Sequence, residues 1–302
     1  MTFFAVLAAL LAEHLRPVPQ RHTLVFGRVP RYLSHYLNAG KMQYGILAWC
    51  IVMFPLIFGT ALIYVTLGRI SLWLAWFWDI AVLYVCIRFK ADVRTAKQIH
   101  LALARDDLSN ARQLFGRWRG ISLPVSDAGD LARLNLEALF TGTFQHLFGV
   151  IFWFGLLGAF GPVGAVFYRT SELLSRHWQI ASDGVFATFS QQIYRLVNAA
   201  PARVTALSFA IAGNFEDAVF CWRSQSGNWT DANLGIVLAS GAGALGVKLG
   251  LPLQQGGIDR PELGVGEGAD NHYFASTLSL IWRALTIWLF FLLLVALAQL
   301  AR

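Results

Sequence analysis

Charged residues are scarce in this chain. They make up 14% of its 302 residues, against 56% hydrophobic ones, whereas a soluble domain carries about 25% charge. Residues 42–68 hold no charged side chain at all. With a mean hydropathy of +0.53, the composition excludes an ordinary soluble domain, yet the remaining charge is too much for a bare bundle of spans. Cysteine is also sparse: Cys50, Cys86 and Cys221 show no metal-ligand spacing and imply no disulfide framework. The histidines, His14, His22, His35, His100, His146, His177 and His272, form no i, i+4 pair, so no helical metal site is predicted. The N-terminus lacks the basic region of a signal peptide, and cleavage is not expected. There is no nucleophile elbow and no internal repeat. The sequon Asn228-Trp229-Thr230 carries weight only in a secretory setting, which nothing else indicates.

What the chain does have is long apolar runs. Residues 44–88 contain two, separated by Gly68-Arg69. A bilayer core of about 30 Å takes roughly 20 apolar residues of helix, so this stretch predicts a transmembrane hairpin with a tight turn at Gly68-Arg69. Residues 147–168 form a third run, interrupted by Gly161-Pro162. Both a kinked span and a re-entrant hairpin are open there, because an interior proline costs about 3 kcal/mol unless the freed carbonyl is partnered. The cations that follow, Arg169, Arg176, Arg195 and Arg203, lean towards re-entry. Ala284 to Leu300 predicts a last span, bounded by Arg283 and Arg302. Phe3 to Ala12 is too short to cross and predicts a membrane-embedded or interfacial helix. Residues 201–213 are apolar, too short to span, and predict a buried helix.

The cations sort around these runs. Arg16, Arg21, Arg28, Arg31 and Lys41 precede the hairpin, with Pro17, Pro19 and Pro30 breaking that segment into short pieces. Residues 88–143 follow it with nine Lys/Arg and six Asp/Glu. Both flanks are basic and the tip carries only Arg69, which places residues 13–43 and 88–143 in the cytoplasm. The net charge of +7 is thereby explained without a nucleic-acid partner, and the 11 Trp and 23 Phe suit interfacial anchoring. Asp92 to Ala104 and Asp107 to Phe115 read as amphipathic helices, the second capped by Asp106-Asp107. Leu131, Leu134 and Ala138 recur at helical spacing. The expected division is 1–43, 44–88, 89–143, 144–168, 169–275 and 276–302: an all-α integral membrane protein with about four transmembrane or re-entrant segments and a cytoplasmic helical region.

Few residues point to chemistry by themselves. Asp79 lies within the second run of the hairpin, and an ionisable group there is either functional or a structural partner of a neighbouring helix. The run Gly241-Ala242-Gly243-Ala244-Leu245-Gly246 lacks Walker spacing and a preceding strand, so it reads as a helix-packing surface. Residues 252–275 read as a Gly/Pro/acid-rich loop. Arg112, Arg117 and Arg119 suit an anionic ligand, and equally a solvated face or acidic lipid headgroups.

Several stretches carry a resemblance. Ala111 to Gly120, ARQLFGRWRG, is similar to a stretch of the CobD/CbiB family that ends in Gly-Arg-Asp-Thr, with Arg119 on the Arg. Glu137-Ala138-Leu139 resembles its Glu-Ser-Leu. Pro201-Ala202-Arg203-Val204-Thr205-Ala206-Leu207 resembles its Pro-Ala-Arg-Leu-Thr-Ala-Leu. Asn233 to Gly250 and Arg260-Pro261-Glu262-Leu263-Gly264 resemble the runs that follow. The chain thus resembles the adenosylcobinamide-phosphate synthases of cobalamin biosynthesis over roughly residues 90–275. That resemblance implies ATP- and Mg²⁺-dependent ligation of aminopropanol, or its phosphate, to a corrinoid propionate in a bacterial inner membrane. It implies catalytic roles for Glu137 and Arg119, and binding of corrinoid or nucleotide by Arg203, Asn233 and Lys248. Membrane lipid and an oligomeric state are further expectations.

The departures are local. Where the synthases continue Ala-Glu-Asn-Thr-Ser-Asp-Gly, this chain has Phe140-Thr141-Gly142-Thr143-Phe144-Gln145-His146, and both carboxylates are lost. Their Asn-Thr-Leu-Asp run is replaced by Thr170-Ser171-Glu172-Leu173-Leu174, which leaves Glu172 as a substitute carboxylate. Mg²⁺ prefers carboxylate oxygens and water, so a divergent synthase, poor or inactive in turnover, is expected. The opening residues and Gly161-Pro162-Val163-Gly164 also resemble AmpE-type membrane proteins, which gives a second reading as a non-catalytic regulatory or scaffold protein. A transporter built on Asp79 is disfavoured by the small number of spans.

Overall fold

A computed structural model describes residues 2–16, 41–120, 127–181, 185–252 and 260–300. The expectations placed on Arg21, Arg28, Arg31, His22, His35, Pro17, Pro19, Pro30 and Arg302 lie outside the described residues. The chain divides into two compact units, Met1–Arg88 with Gln145–Ala200 and Leu292–Arg302, and Phe89–Phe144 with Pro201–Phe291. Among the described residues four helices are long and apolar enough to cross a membrane: Met42–Ile70, Leu72–Leu103, Ala128–Leu156 and Tyr273–Gln299. The protein is an all-α integral membrane protein with one small sheet.

In the first unit, α1 (Thr2–Leu15) precedes α2 (Met42–Ile70) and α3 (Leu72–Cys86). The hairpin is present, but its turn falls at Ser71 rather than at Gly68-Arg69. Ser71 is extended, and its side chain accepts a hydrogen bond from the Trp73 amide. Glycine does not mark the turn because Gly68 can stay helical; the serine breaks the helix by capping the next one. Residues 147–168 form a helical hairpin. The chain runs through a π-helical stretch, Phe144–Phe148, into α7 (Gly149–Leu156), turns through Gly158–Phe160 and Gly161 (φ +67°), and returns as α8 (Val163–Ala181). A methyl on Gly164 would collide with the Trp153 carbonyl, and one on Gly149 with the Tyr168 ring, so α7 and α8 pack face to face. Ala48, Leu174, Trp178, Phe186 and Ala187 form a core of this unit.

The second unit holds α4 (Phe89–Leu103), α5 (Leu108–Arg119), α6 (Ala128–Thr143), α10 (Phe215–Gln225) and α11 (Ala232–Leu245). Asp107 caps α5 by accepting from the Asn110 amide at 3.1 Å, while Asp106 takes the left-handed conformation (φ 58°). Ile99, Leu103, Phe115, Leu131, Leu134 and Ala138 form its core, as the helical spacing predicts. The small residues of α11 admit neighbours closely: the Phe140 ring lies 2.8 Å from where a Gly241 methyl would sit. The stretch read as a loop contributes β2 (Leu263–Gly264) and β3 (Glu267–Gly268), which flank β1 (Val247–Leu249) in the order β2-β1-β3. Lys248 pairs antiparallel with Gly264 and parallel with Gly268.

Two helices are longer than their apolar runs. Residues 201–213 are not a separate short helix but the second half of α9 (Val185–Ala212), with Pro201 inside it. A proline at 201 cannot donate to the carbonyl four residues earlier. That carbonyl, of Val197, accepts from the Trp153 indole at 3.1 Å instead. The last helix, α12 (Tyr273–Leu300), begins eleven positions before Ala284, so Arg283 lies within it rather than at its edge.

Candidate functional site

Glu137 stands on the fully buried face of α6 and is 6% exposed. Both of its carboxylate oxygens are engaged. Oε1 accepts from the Gly250 amide at 2.9 Å, and Oε2 is paired with Arg260 Nη2. The Arg260 guanidinium lies over the Trp229 ring, 5.1 Å from its centroid, a cation–π contact that fixes its plane. Glu137 therefore ties the end of β1 and the strand-bearing segment after residue 260 to α6. With an amide on one oxygen and a guanidinium on the other, this carboxylate holds two segments of chain in place, which makes it a positioning group.

The other predicted site residues are less tightly gathered. Lys248, on β1, binds Glu262 at 2.7 Å across a partly exposed surface. Asn233 is buried in the first turn of α11, whose end Asp231 caps through the Asn233 and Leu234 amides. Arg203 points outward on α9, and Arg119 is half-buried in the last turn of α5. Sequence reasoning placed Arg260 in a family-like stretch but gave it no role. It missed Trp229 and the Gly250 amide, whose parts appear only once the sheet forms.

Thr141 and Gln145 stand where the related synthases carry acids. Thr141 and Thr143 are buried, and the Thr143 hydroxyl has no partner among the described residues. Asp92 reaches this point from α4, its Oδ2 3.0 Å from where a Gly142 methyl would lie, but its Oδ1 accepts from the Trp118 indole at 3.0 Å. Among the described residues no three or more His, Cys, Asp and Glu converge as a metal-ligand group. This donor set does not fit an all-protein Mg²⁺ site.

Two more carboxylates belong to the first unit. Glu172 is buried on α8 beside Arg169, with Nη1 to Oε2 at 2.6 Å, and His146 Nε2 lies 4.0 Å from Oε1. Burial alone would push its carboxyl up, but Arg169, then His146, Arg176 and Arg88, outweigh burial and hold it below its ordinary range. It is thus an ion-paired structural group rather than a spare metal ligand. Asp79 is 7% exposed on α3, and its Oδ1 has no hydrogen-bond partner among the described residues.

Comparison with known proteins places this architecture. The family described as CobD/Cbib protein matches residues 6–281. "Cobalamin biosynthesis protein CobD" of Stutzerimonas stutzeri is 33% identical over 301 residues, covering 96% of this chain and 97% of that protein. The protein of the same name from Chromobacterium violaceum is 31% identical over 213 residues, covering 69% and 67%. That of Mycobacterium tuberculosis is 27% identical over 168 residues, covering 53% and 52%. No solved structure matches the chain. With a family match over nearly its whole length and a full-length relative at one-third identity, the chain belongs to the CobD/CbiB family.

Proposed function

We propose that this chain works in cobalamin biosynthesis as a multi-pass protein of the bacterial inner membrane, and that it joins aminopropanol, or its phosphate, to a propionate side chain of a corrinoid. The observation that carries the reading is the near full-length similarity to the Stutzerimonas stutzeri cobalamin biosynthesis protein. Amide formation from a carboxylate requires one oxygen to become a leaving group, which ATP supplies when bound. The chain's own part is to orient the reactants and to offset anionic charge. Arg260, held between Glu137 and the Trp229 ring, is the best-oriented cation for that task. Lys248 stands two residues before Gly250, which Glu137 anchors. Glu137 acts through Arg260 and Gly250 as a positioning residue. The neutral Thr141 and Gln145 remove charge that a carboxylate would give, which supports slow turnover.

Complementation tests the reading. A bacterium lacking its own synthase is grown where growth needs cobalamin made from cobyric acid. This chain should restore growth more slowly than the Stutzerimonas stutzeri protein does, and Glu137→Ala should abolish it. No growth, with the protein present in the membrane, would overturn the assignment as a ligase.

A further inference from the structure

β2 (Leu263–Gly264) is an edge strand of the described sheet, with β1 on one side of it. Its other edge is closed by a side chain. Gln225, the last residue of α10, donates from Nε2 to the Gly264 carbonyl at 3.1 Å, and its Oε1 accepts from the Gly264 amide at 2.6 Å. Bonds to both the N–H and the C=O of one residue are what a neighbouring strand makes in an antiparallel pair. The Gln225 amide thus stands in for a further strand. It projects from a fixed base, because Ala218 and Cys221, on the preceding turns of α10, are fully buried.

Such a grip matters because the strands are so short. β1 has three residues and β2 two, and their register rests on the pairs Lys248–Gly264 and Leu249–Leu263. So few pairs leave the register open to slippage. Gly264 adds a steric half to the lock: it holds φ +102°, and a methyl there would collide with the Val247 carbonyl and the Ala242 side chain. A slip of one residue would move β2 by about 3.3 Å and bring Leu263 or Val265 to that point. It would carry with it Glu262, which pairs with Lys248 at 2.7 Å, and Arg260, whose guanidinium meets Glu137 and the Trp229 ring. Arg260 keeps its Nη1 without a partner among the described residues, so its charge is only partly engaged.

We propose that Gln225 is a positioning residue: it fixes the register of β2 and so holds the Nη1 side of Arg260 where an anionic oxygen of the reactants comes to lie. Its part in turnover rests on the ligation proposed above; its hold on β2 does not.

Amide exchange and turnover of the full-length protein in phospholipid nanodiscs test this together. In Gln225→Glu the ionised carboxylate cannot donate to the Gly264 carbonyl. At neutral pH the Gly264 amide should therefore exchange about tenfold faster than in the parent, as the loss of one hydrogen bond predicts. Near a pH of about 4, close to the ordinary glutamate pKa of about 4.3, the protonated acid donates again and the excess over the parent should shrink. In Gln225→Met, which loses both bonds, the excess should persist at either pH. Amide formation from a corrinoid acid, aminopropanol phosphate and ATP should slow about tenfold in Gln225→Glu at saturating substrates, but about twofold or less where Arg260→Lys is already present, since residues acting through one another are not additive. Unchanged exchange in both variants would overturn the hold on β2. An equal loss of rate in both backgrounds would overturn positioning through Arg260 in favour of general support, and an unchanged rate would overturn any part in turnover. A parent that forms no amide would refute the ligation and with it the part in turnover, while the exchange comparison still decides the hold on β2.

Discussion

At the scale of single residues, two buried carboxylates of the first unit, Glu172 and Asp79, behave in opposite ways. Glu172 is satisfied. Because its folded-state pKa lies below its ordinary 4.5, its charge contributes stability in full above that value. The contribution is lost as pH falls through the lower, folded value. The thermal midpoint of Glu172→Gln should therefore fall well below the parent's at neutral pH, and the gap should close as the pH drops past about 4.5. A gap that stays constant into acid would show that packing, not charge, is what Glu172 supplies. Asp79 has an oxygen without a partner among the described residues, and a buried unmade hydrogen bond costs about 1–3 kcal/mol. Asp79→Leu should melt at or above the parent's temperature in detergent, and a clear drop would mean that the carboxylate holds its helix in place. If the more stable variant also fails in complementation, the expense of the buried acid is functional.

At the scale of elements, what could be read from the sequence depended on length and period. The hairpin, the amphipathic helices α4 and α5 and the apolar face of α6 were legible because each repeats its signal over several turns. The turn at Ser71 was not, because glycine is permissive in either state while serine acts by capping. β1, β2 and β3 have three, two and two residues, too few for alternation to show. Arg260 could not be assigned for the same reason, since it meets Glu137 only after those strands bring distant residues together. Residues 201–213 read as a short buried helix because their apolar run is too short to span, while the structure continues the helix through Pro201. The indole of Trp153 serves the Val197 carbonyl that Pro201 cannot. Trp153→Phe should keep the ring's packing but leave that carbonyl unserved, destabilising the protein by about 1–3 kcal/mol. The loss should show as a lower thermal midpoint and as faster amide exchange around residues 197–201. Unchanged exchange there would mean that the helix tolerates the proline unaided.

At the scale of the whole molecule, the helices Leu72–Leu103 and Ala128–Leu156 are long and apolar enough to cross a membrane, so the orientation expected from the basic flanks applies to the stretch between them, residues 104–127, in the cytoplasm. In a cysteine-free background, Arg105→Cys should resist a membrane-impermeant maleimide in intact cells and react once the inner membrane is opened. Labelling from outside would invert the topology. The division into two units also bears on how the protein is made. Neither unit is a continuous piece of chain: one needs residues 1–88 and 292–302, the other residues 89–144 and 201–291. His100 on α4 meets its partner Asn271, 171 positions later, at 2.7 Å. During synthesis the ribosome must therefore emit almost the entire polypeptide before either unit has all its parts. The nascent α4–α6 segment waits for partners that are still untranslated, so a premature stop anywhere before the last helix leaves two unfinished halves for quality-control proteases rather than one finished half and one missing.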